Sequence, residues 1–222
     1  SDNLYQQLYP VASWGKKYLT VPSYNRPNAI YRIIKSVSSS NVYLNGNLIS
    51  PGNFINDVYY EFTNTTPNKI ESDQPICVAQ FFTTQGCGGN GSPFDPDMII
   101  LNPVEQNIDK VTMVSSSLIA TANRQHHLQV IIKNAGTALS SFKLDGNPVA
   151  VGTWSTHNAD PAYSYMYCNN VSEGFHTLAS DSGFNALAYG YADAETYGYS
   201  AGSNIKDLYQ FVTLANEYAT VD

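Results

Sequence analysis

The sequence predicts an all-β fold made of two tandem, internally duplicated β-sandwich units that pack as one module. The chain of 222 residues holds 17 tyrosines, and only 13% of its residues are charged. Tyrosine and β-branched residues favour strands, whereas the abundant Asn, Gly, Ser and Pro favour turns. Helical periodicity is weak along the chain, so the composition indicates strands joined by turns.

An internal repeat is the second observation behind this prediction. The first set of matches pairs Ile33-Ile34-Lys35 with Ile131-Ile132-Lys133, and Leu44, Gly46, Asn47 and Gly52 with Leu144, Gly146, Asn147 and Gly152. The second set pairs Ile70, Ser72 and Asp73 with Leu178, Ser180 and Asp181, and then Ile76 and Val78 with Phe184 and Ala186. Matches kept in this order indicate a tandem duplication. It predicts a first unit over 1–106, a second over 107–208, and a C-terminal extension or linker over 209–222.

Turn signals divide each predicted unit into short strands. Asn45-Gly46 and Asp145-Gly146 predict hairpins, because both residues of such a pair tolerate positive φ. The apolar runs at 76–82 and 184–191 suit central strands that a second sheet covers, while 163–167 alternates as a half-buried strand does. Short strands separated by regular turn signals are typical of β-sandwiches.

The stretch DPDMIILNPVEQ at 95–106 poses a choice between a catalytic or metal-binding loop and a structural joint. Residues 98–101 suit the last strand of the first unit. Pro103 cannot donate a ladder hydrogen bond, so it ends that strand. The chain then crosses to the second unit, and Glu105 is expected to accept backbone or inter-unit hydrogen bonds. We therefore interpret this stretch as a joint.

Charge and hydropathy exclude two classes of partner. The net charge is −7, and the basic residues form no cluster longer than Lys16-Lys17, so the basic footprint that nucleic acid needs is missing. No apolar run approaches the roughly 18 residues that span a bilayer, so no membrane insertion is expected of this segment. No cofactor is expected either, because the sequence holds no Walker loop, dinucleotide fingerprint or zinc spacing.

The three cysteines, Cys77, Cys87 and Cys168, leave at least one thiol unpaired. Cys77 lies in an apolar strand pattern and is expected to be buried. Cys87 and Cys168 could pair in an oxidising compartment, and the sequence leaves that open.

Four tyrosines near the end of the second unit are the candidate ligand-binding residues: Tyr189, Tyr191, Tyr197 and Tyr199. Exposed tyrosines stack on sugar rings or form protein-binding patches, since the ring is rigid and amphipathic. The alternative is that these residues pack in the core and at strand corners. Trp14 and Trp154 are expected to be core residues.

Carboxylates give weaker candidates. Asp95 and Asp97 offer oxygen ligands for calcium, but the loop lacks the glycine and the further oxygens of calcium loops, so turn capping is the simpler interpretation. Glycoside hydrolysis needs two carboxylates across a cleft. The residues considered for it are Glu61, Asp97, Glu105, Asp193 and Glu195. Nothing singles out a pair, so no enzyme activity is expected.

His126 and His127 are adjacent in the sequence. On a strand they face opposite sides and cannot easily share a metal ion. One is expected to be packed and the other exposed.

Three stretches together resemble a known family: YPVASWGKKYLTVP at 9–22, CVAQFFTTQGCGGNGSPFDPDMIILNPVEQ at 77–106 and ALAYGYADAETYGYSAG at 186–202. They are similar to the N-terminal domain family of IgG Fc-binding proteins, and the resemblance extends over about residues 4–208. The positions that carry the motif are Trp14, Gly15, Asp95, Pro96, Met98, Pro103, Glu105, Gln106, Gly198 and Gly202. Their expected role is structural.

The resemblance implies an extracellular, non-enzymatic module of a large secreted or cell-surface protein. In bacteria, including gliding Bacteroidetes-type organisms, such modules resemble parts of multidomain adhesin-like proteins. Fc binding is not carried over, because these residues hold no recognised Fc-contacting motif. The expected function is recognition or adhesion, with an unknown protein or glycan ligand at the cell surface. The alternative is a carbohydrate-binding module that uses exposed Tyr and Trp and could be attached to a polysaccharide-degrading enzyme.

Overall fold

The computed structural model describes residues 4–26, 28–84, 95–117, 124–205 and 208, and in these ranges the protein is all-β. The first half of the chain, up to residue 106, contains β1 (Lys17–Thr20), β2 (Ala29–Lys35), β3 (Val42–Leu44), β4 (Asn47–Leu48), β5 (Tyr59–Asn64), β6 (Asn68–Ser72), β7 (Ile76–Phe82) and β8 (Asp97–Ile100). The second half contains β9 (Ile108–Ser115), β10 (Gln125–Lys133), β11 (Lys143–Leu144), β12 (Asn147–Pro148), β13 (Ser155–Thr156), β14 (Tyr163–Asn169), β15 (Gly174–Ala192) and β16 (Glu195–Ser200). The described helical segments are α1 (Ala138–Ser141) and the 3-10 turns Val11–Ser13, Pro51–Asn53, Val104–Gln106 and Val151–Thr153.

In the first half, two four-stranded antiparallel sheets face each other across a core. One sheet has the strand order β1-β6-β3-β4 and the other the order β5-β2-β7-β8. Tyr18, Val42 and Ile70 of the first sheet meet Ile33 and Val78 of the second in one buried cluster. Removing these apolar side chains from water drives the two sheets together.

In the second half, one long strand pairs with two different sets of strands along its length. β15 has 19 residues, and its pairing register shifts between Ala179 and Phe184. Before the shift it lies between β9 and β11, which gives the order β9-β15-β11-β12. After the shift Phe184 still pairs with Ile108 of β9, and from Leu187 onwards β15 lies between β10 and β16, which gives β14-β10-β15-β16. These orders correspond strand by strand to those of the first half.

The predicted hairpins are confirmed. Asn45 and Gly46 have φ values of 52° and 83°, Asp145 and Gly146 have 53° and 77°, and the turns join β3 to β4 and β11 to β12. Positive φ at both central residues matches the right-handed twist of the flanking strands. The predicted strand at 76–82 is β7.

The aligned residues Ile33 and Ile131 lie on different faces of their strands. Ile33 faces the core of the first half, whereas Ile131 lies on the outer face of its strand, beside Leu19 and Val21. A slip of one residue along a strand moves every side chain to the other face. The inward-facing neighbours of Ile131 are Val130 and Ile132.

The two halves share buried apolar surface. Leu187, Tyr189 and Tyr191, on the outer face of β15, belong to the core of the first half. Leu19 and Val21 of the first half in turn pack against the outer face of β10 and β14. Each half therefore covers surface that the other would expose to water.

The N-terminal segment covers part of the outer face of β7 and β8. Trp14 packs on Cys77, Ala79 and Ile100, and its indole Nε1–H donates to the carbonyl of Tyr9 at 2.9 Å. Trp14 is thereby confirmed as a core residue. The same face continues onto β2 and β5.

Candidate functional site

Residues 102–106 connect both halves through hydrogen bonds. The Glu105 carboxylate accepts the backbone N–H of Lys16 (Oε1···N 2.9 Å), and Gln106 Nε2 donates to the carbonyl of Ser13 at 3.1 Å. Asn102 Nδ2 donates to the carbonyl of Gly202, beyond β16, at 2.7 Å. These contacts agree with the interpretation of this stretch as a joint.

Two of the family-motif glycines lie where no side chain fits. A Cβ atom on Gly15 would lie 2.2 Å from the Cβ of Pro103, and one on Gly198 would lie 2.6 Å from the Cδ1 of Ile99. Glycine lets the N-terminal segment approach the joint and lets β16 approach β8. Gly15 thus lies against another motif residue, Pro103, and Gly198 lies against the core residue Ile99.

Asp97 accepts the backbone N–H of Met98 at 2.7 Å, and burial raises its pKa to about 6. Asp95 and Pro96 precede it and are partly buried. Within the described ranges, no three His, Cys, Asp or Glu side chains come together in a group that could hold a metal ion. The calcium hypothesis for Asp95 and Asp97 therefore finds no third ligand of these types in that part of the chain.

The carboxylates considered for hydrolysis lie on separate elements. Glu61, on β5, forms an ion pair with Arg32 at 2.7 Å. Glu105 is held in the joint, while Asp193 and Glu195 lie exposed around the turn between β15 and β16. This arrangement gives no support to a hydrolytic pair.

A Ser-His-Asp contact exists but does not suit nucleophilic catalysis. His176 Nδ1 lies 2.7 Å from a carboxylate oxygen of Asp145, and its Nε2 lies 2.8 Å from the carbonyl oxygen of Ser172. Both ring nitrogens lie close to acceptor oxygens, an arrangement that favours the doubly protonated imidazole over one with a nitrogen free to take a proton from a hydroxyl. The hydrogen bond to Asp145 raises the pKa of His176 despite its burial.

The placement of Tyr189 and Tyr191 corrects the prediction of an exposed tyrosine platform. They are 0% and 1% exposed, because their face of β15 packs into the first half. Alternation along a strand shows which residues share a face, but not what covers that face.

Tyr197 and Tyr199 lie on the opposite face of the same sheet, so the four residues form no common surface. The hydroxyl of Tyr197 lies 2.8 Å from His126 Nδ1, and that of Tyr199 donates to the carbonyl of Val114 at 2.6 Å. Both rings are half-buried, with their polar ends already engaged in hydrogen bonds.

His126 and His127 face opposite sides of β10 as predicted, but both are buried, so the expectation of one exposed ring is wrong. Tyr197 covers one side of the strand, and Tyr24 and Tyr189 cover the other. Burial lowers the pKa of His127 to about 4. It is therefore a neutral packing residue near neutral pH.

The two described cysteines are free thiols. Cys77 is 2% exposed, as predicted, and burial raises its pKa to about 12. Cys168 is half-buried on β14, and its suggested partner Cys87 lies outside the described residues.

A groove of about 350 Å³ between the two halves is the best candidate binding site. Its lining is formed by Pro22, Ser23, Tyr24, Asn25, Thr65, Pro67, Tyr165 and Tyr167. The ring of Tyr167 lies 5.7 Å from each of the rings of Tyr24 and Tyr165. All three tyrosines are half-buried, so part of each ring remains open to a ligand.

Hydrogen bonds between the halves fix the walls of this groove. The hydroxyl of Tyr167 donates to the carbonyl of Pro22 at 2.6 Å, and Gln129 Nε2 donates to the carbonyl of Val21 at 3.2 Å. The backbone N–H of Tyr24 donates to the Tyr189 hydroxyl at 2.9 Å. The groove is thus preformed, as small binding sites at domain boundaries usually are.

The chemistry of the groove is aromatic and uncharged. None of its eight lining residues carries a charge. Asn25 and Thr65 are exposed at its rim and can offer amide and hydroxyl groups. Such a surface suits a neutral segment with apolar or ring-shaped groups.

One signal for this groove is present in the sequence. Tyrosines at 163, 165 and 167 share one face of a strand, which the alternation indicates. Their meeting with Tyr24 depends on packing between distant parts of the chain, which no local pattern contains. Sequence reasoning therefore missed the groove residues as candidates.

An all-β scaffold with a preformed, uncharged aromatic groove suits a binding module. The chain belongs to the IgGFc binding protein family, whose model matches residues 1–190. This is a family of binding domains, and its proteins are typically secreted or on the cell surface. No curated protein and no solved structure matches the chain. Among the described residues, no helix is long and apolar enough to cross a membrane.

Proposed function

We propose that this protein is a non-catalytic recognition or adhesion module that acts outside the cell within a larger secreted or surface protein. The observation that carries the proposal is the uncharged tyrosine groove whose walls come from both halves. Membership of a family of binding domains supports the class of function. The groove supplies a place for the ligand.

A protein segment is the proposed ligand. Rigid tyrosine rings supply apolar contact area at a low cost in conformational entropy. A groove of about 350 Å³ accepts a few side chains, so it would anchor one part of a larger contact. The absence of charge among its lining residues favours an apolar or proline-containing segment, which docks on aromatic-lined grooves.

A glycan is the second candidate ligand. The observation that favours it is that the exposed Asn25 and Thr65 line the groove together with the half-buried Tyr165. A sugar ring could stack on the tyrosine while its hydroxyls bond to the amide and the hydroxyl.

We also propose that the two halves are duplicated β-sandwich units, over 1–106 and 107–208, that act as one module. Matched hydrogen bonds support this. The backbone N–H groups of Asn45 and Asp145 donate to the carbonyls of Lys69 and Thr177, each at 2.8 Å. The side chains of the same two turn residues accept the N–H groups of Lys69 and Thr177, again at 2.8 Å each.

The serines of the second set of matches also make equivalent contacts. Ser72 and Ser180 accept the N–H two residues further on, at 3.3 Å and 3.2 Å. Each donates its hydroxyl to a carbonyl, of Asn41 at 3.0 Å and of Ala138 at 3.3 Å. The agreement of these side-chain hydrogen bonds at matched positions supports a common origin for the halves.

A binding screen of the purified chain against extracellular peptides, proteins and glycans tests the proposed function. Tyr165→Ala removes a groove ring, and Tyr43→Ala is the matched control, since Tyr43 is 37% exposed on β3 outside the groove. We expect saturable binding that weakens roughly tenfold or more in Tyr165→Ala and stays unchanged in the control. A glycan hit with this pattern would favour the second candidate. Binding that survives Tyr165→Ala would overturn the groove as the site.

A further inference from the structure

The outer face of β2, β5 and β7 carries aromatic rings around an arginine. The Arg32 guanidinium lies 4.8 Å from the centre of the Tyr59 ring and 5.0 Å from that of Phe81. It also bonds to Glu61 at 2.7 Å, and the two charged side chains are 39% and 40% exposed. A groove of about 390 Å³ opens on this face, beside Ile30. We call this surface the Arg32 face. Arginine and aromatic residues of this kind dominate protein interfaces.

The pairing register of the strands shows which residues of the second half correspond to the Arg32 face. Ile76 pairs with Lys35, and Phe184 pairs with Ile132. Ile76 and Phe184 each follow one of the matched serines, Ser72 and Ser180, by four residues. The two pairs therefore occupy equivalent places in the two halves.

The equivalent face of the second half is already an interface. In this register, Arg32 corresponds to Gln129. Tyr59 corresponds to Tyr165, and Phe81 corresponds to Tyr189. All three contact the first half. Gln129 donates to the carbonyl of Val21, Tyr189 accepts the N–H of Tyr24, and Tyr165 packs in the cluster that contains Val21.

The surface of the first half that packs on this interface, around Val21, has an equivalent in the second half that is exposed. Tyr18 lies opposite Ile70, and Val111 lies opposite Leu178, so Val114 occupies the place of Val21. Val21 is 0% exposed between the halves, whereas Val114 is 40% exposed. Phe175, which pairs with Val114 across the strands, is 81% exposed. We call Val114, Phe175 and their neighbours the Phe175 face.

The charges at the edges of these two faces are complementary. Lys17 contacts Asp160 at 2.7 Å and lies over the Tyr163 ring at 5.0 Å, within the interface between the halves. By the same register, the exposed Lys110 occupies the place of Lys17. The exposed Asp57 lies in the turn before β5, two residues ahead of Tyr59, as Tyr163 lies two residues ahead of Tyr165. A copy docked in the same way brings Lys110 near Asp57.

We propose that a second copy of this chain docks its Phe175 face on the Arg32 face of the first, as the first half docks on the second within one chain. The two faces differ, so the contact is head-to-tail and leaves one free face at each end. Such a contact produces open chains of copies, or a ring where the rotation between copies closes, rather than a symmetric dimer. This proposal rests on the proposed duplication of the halves, but it uses surfaces other than the tyrosine groove and does not depend on the groove's ligand.

Sedimentation velocity over a concentration series up to the millimolar range tests the proposal with the intact chain. We expect the wild type to shift progressively from the 24.3 kDa monomer to larger species. Phe175→Asp removes one face, and the double variant Arg32→Ala with Tyr59→Ala removes the other. Each is expected to remain monomeric. Leu48→Asp is the control, because Leu48 is an exposed apolar residue on β4, outside both faces.

Mixing the two variants gives the sharper result. Phe175→Asp keeps an intact Arg32 face and the double variant keeps an intact Phe175 face, so an equal mixture should form a dimer and nothing larger. Circular dichroism melting verifies that each variant is folded. A wild type that stays monomeric, association that survives Phe175→Asp, or a mixture that stays monomeric would each overturn the proposal.

Discussion

The hydroxyl of Tyr189 accepts the backbone N–H of Tyr24 at 2.9 Å, although 165 residues separate the two in sequence. Tyr189 is fully buried, and its ring lies 5.5 Å from that of Phe82 and 5.4 Å from that of His127. Tyr24, which lines the groove, is thus hydrogen-bonded to β15, the longest described strand of the second half. The shape of the groove follows from the packing between the halves.

Tyr189→Phe should lower the free energy of unfolding by about 1–3 kcal/mol, because it leaves the partly buried N–H of Tyr24 without its acceptor. Urea denaturation measures the change. Tyr43→Phe, on the exposed surface, should have almost no effect. Equal stability of Tyr189→Phe and the wild type would contradict the importance of this bond.

Gly15→Ala should destabilise the protein by about 1–3 kcal/mol, because its new methyl group would overlap Pro103 in the joint. Gly52→Ala is a matched control, since a Cβ atom added there would meet no other atom within 4 Å and its φ is not positive. Thermal melting of both variants gives the comparison. If the two behaved alike, the close approach at Gly15 would not be a constraint.

Glu105→Ala should cost about 1.5–3 kcal/mol of stability, because the charged acceptor of the Lys16 N–H is lost. Since Glu105 lies outside the groove, any ligand found in the binding screen should retain its affinity for the folded variant. Isothermal titration well below the melting temperature measures this. Loss of affinity with stability unchanged would mean that the joint binds ligand.

His127 should make the protein less stable in mild acid. Its folded pKa of about 4 lies below its ordinary value of 6.5, so the stability it contributes is present above pH 6.5 and is lost as the pH falls towards 4. The full loss from this group is about 3 kcal/mol. Urea denaturation at several pH values across this window should show a smaller acid loss in His127→Gln than in the wild type.

His176 provides the opposite control. Its folded pKa is raised, so its contribution is present below pH 6.5 and is lost as the pH rises through the raised value. His176→Gln should therefore lower the stability below pH 6.5 but leave the slope between pH 6.5 and 4 unchanged. A smaller acid loss in both variants would refute this assignment.

Local patterns were sufficient to predict the strands and hairpins. Asn45-Gly46 and Asp145-Gly146 form their turns because few residue pairs tolerate positive φ twice in succession. The apolar run that became β7 is continuous because both faces of that strand are covered. The family resemblance is confirmed by the match over residues 1–190.

Packing between the halves could not be predicted in this way. Tyr189 and Tyr191 alternate as exposed tyrosines on a half-covered strand would, and only the docked first half buries them. The expectation of one exposed ring at His126 and His127 is wrong for the same reason, since both faces of β10 are covered. The slip between Ile33 and Ile131 arises because similar apolar residues on a strand align equally well in two registers.

We infer that the two halves fold as one body, which holds the groove open between them. Trp14 packs in the first half and Trp154 in the second, and they are the two tryptophans of the chain. Urea unfolding of Trp14→Phe and Trp154→Phe, followed by the fluorescence of the remaining tryptophan and by circular dichroism, tests this directly. Within each variant, we predict that the two probes report one transition with the same midpoint. A fluorescence transition that separates from the circular dichroism transition in either variant would show that the halves unfold independently, and would contradict the claim.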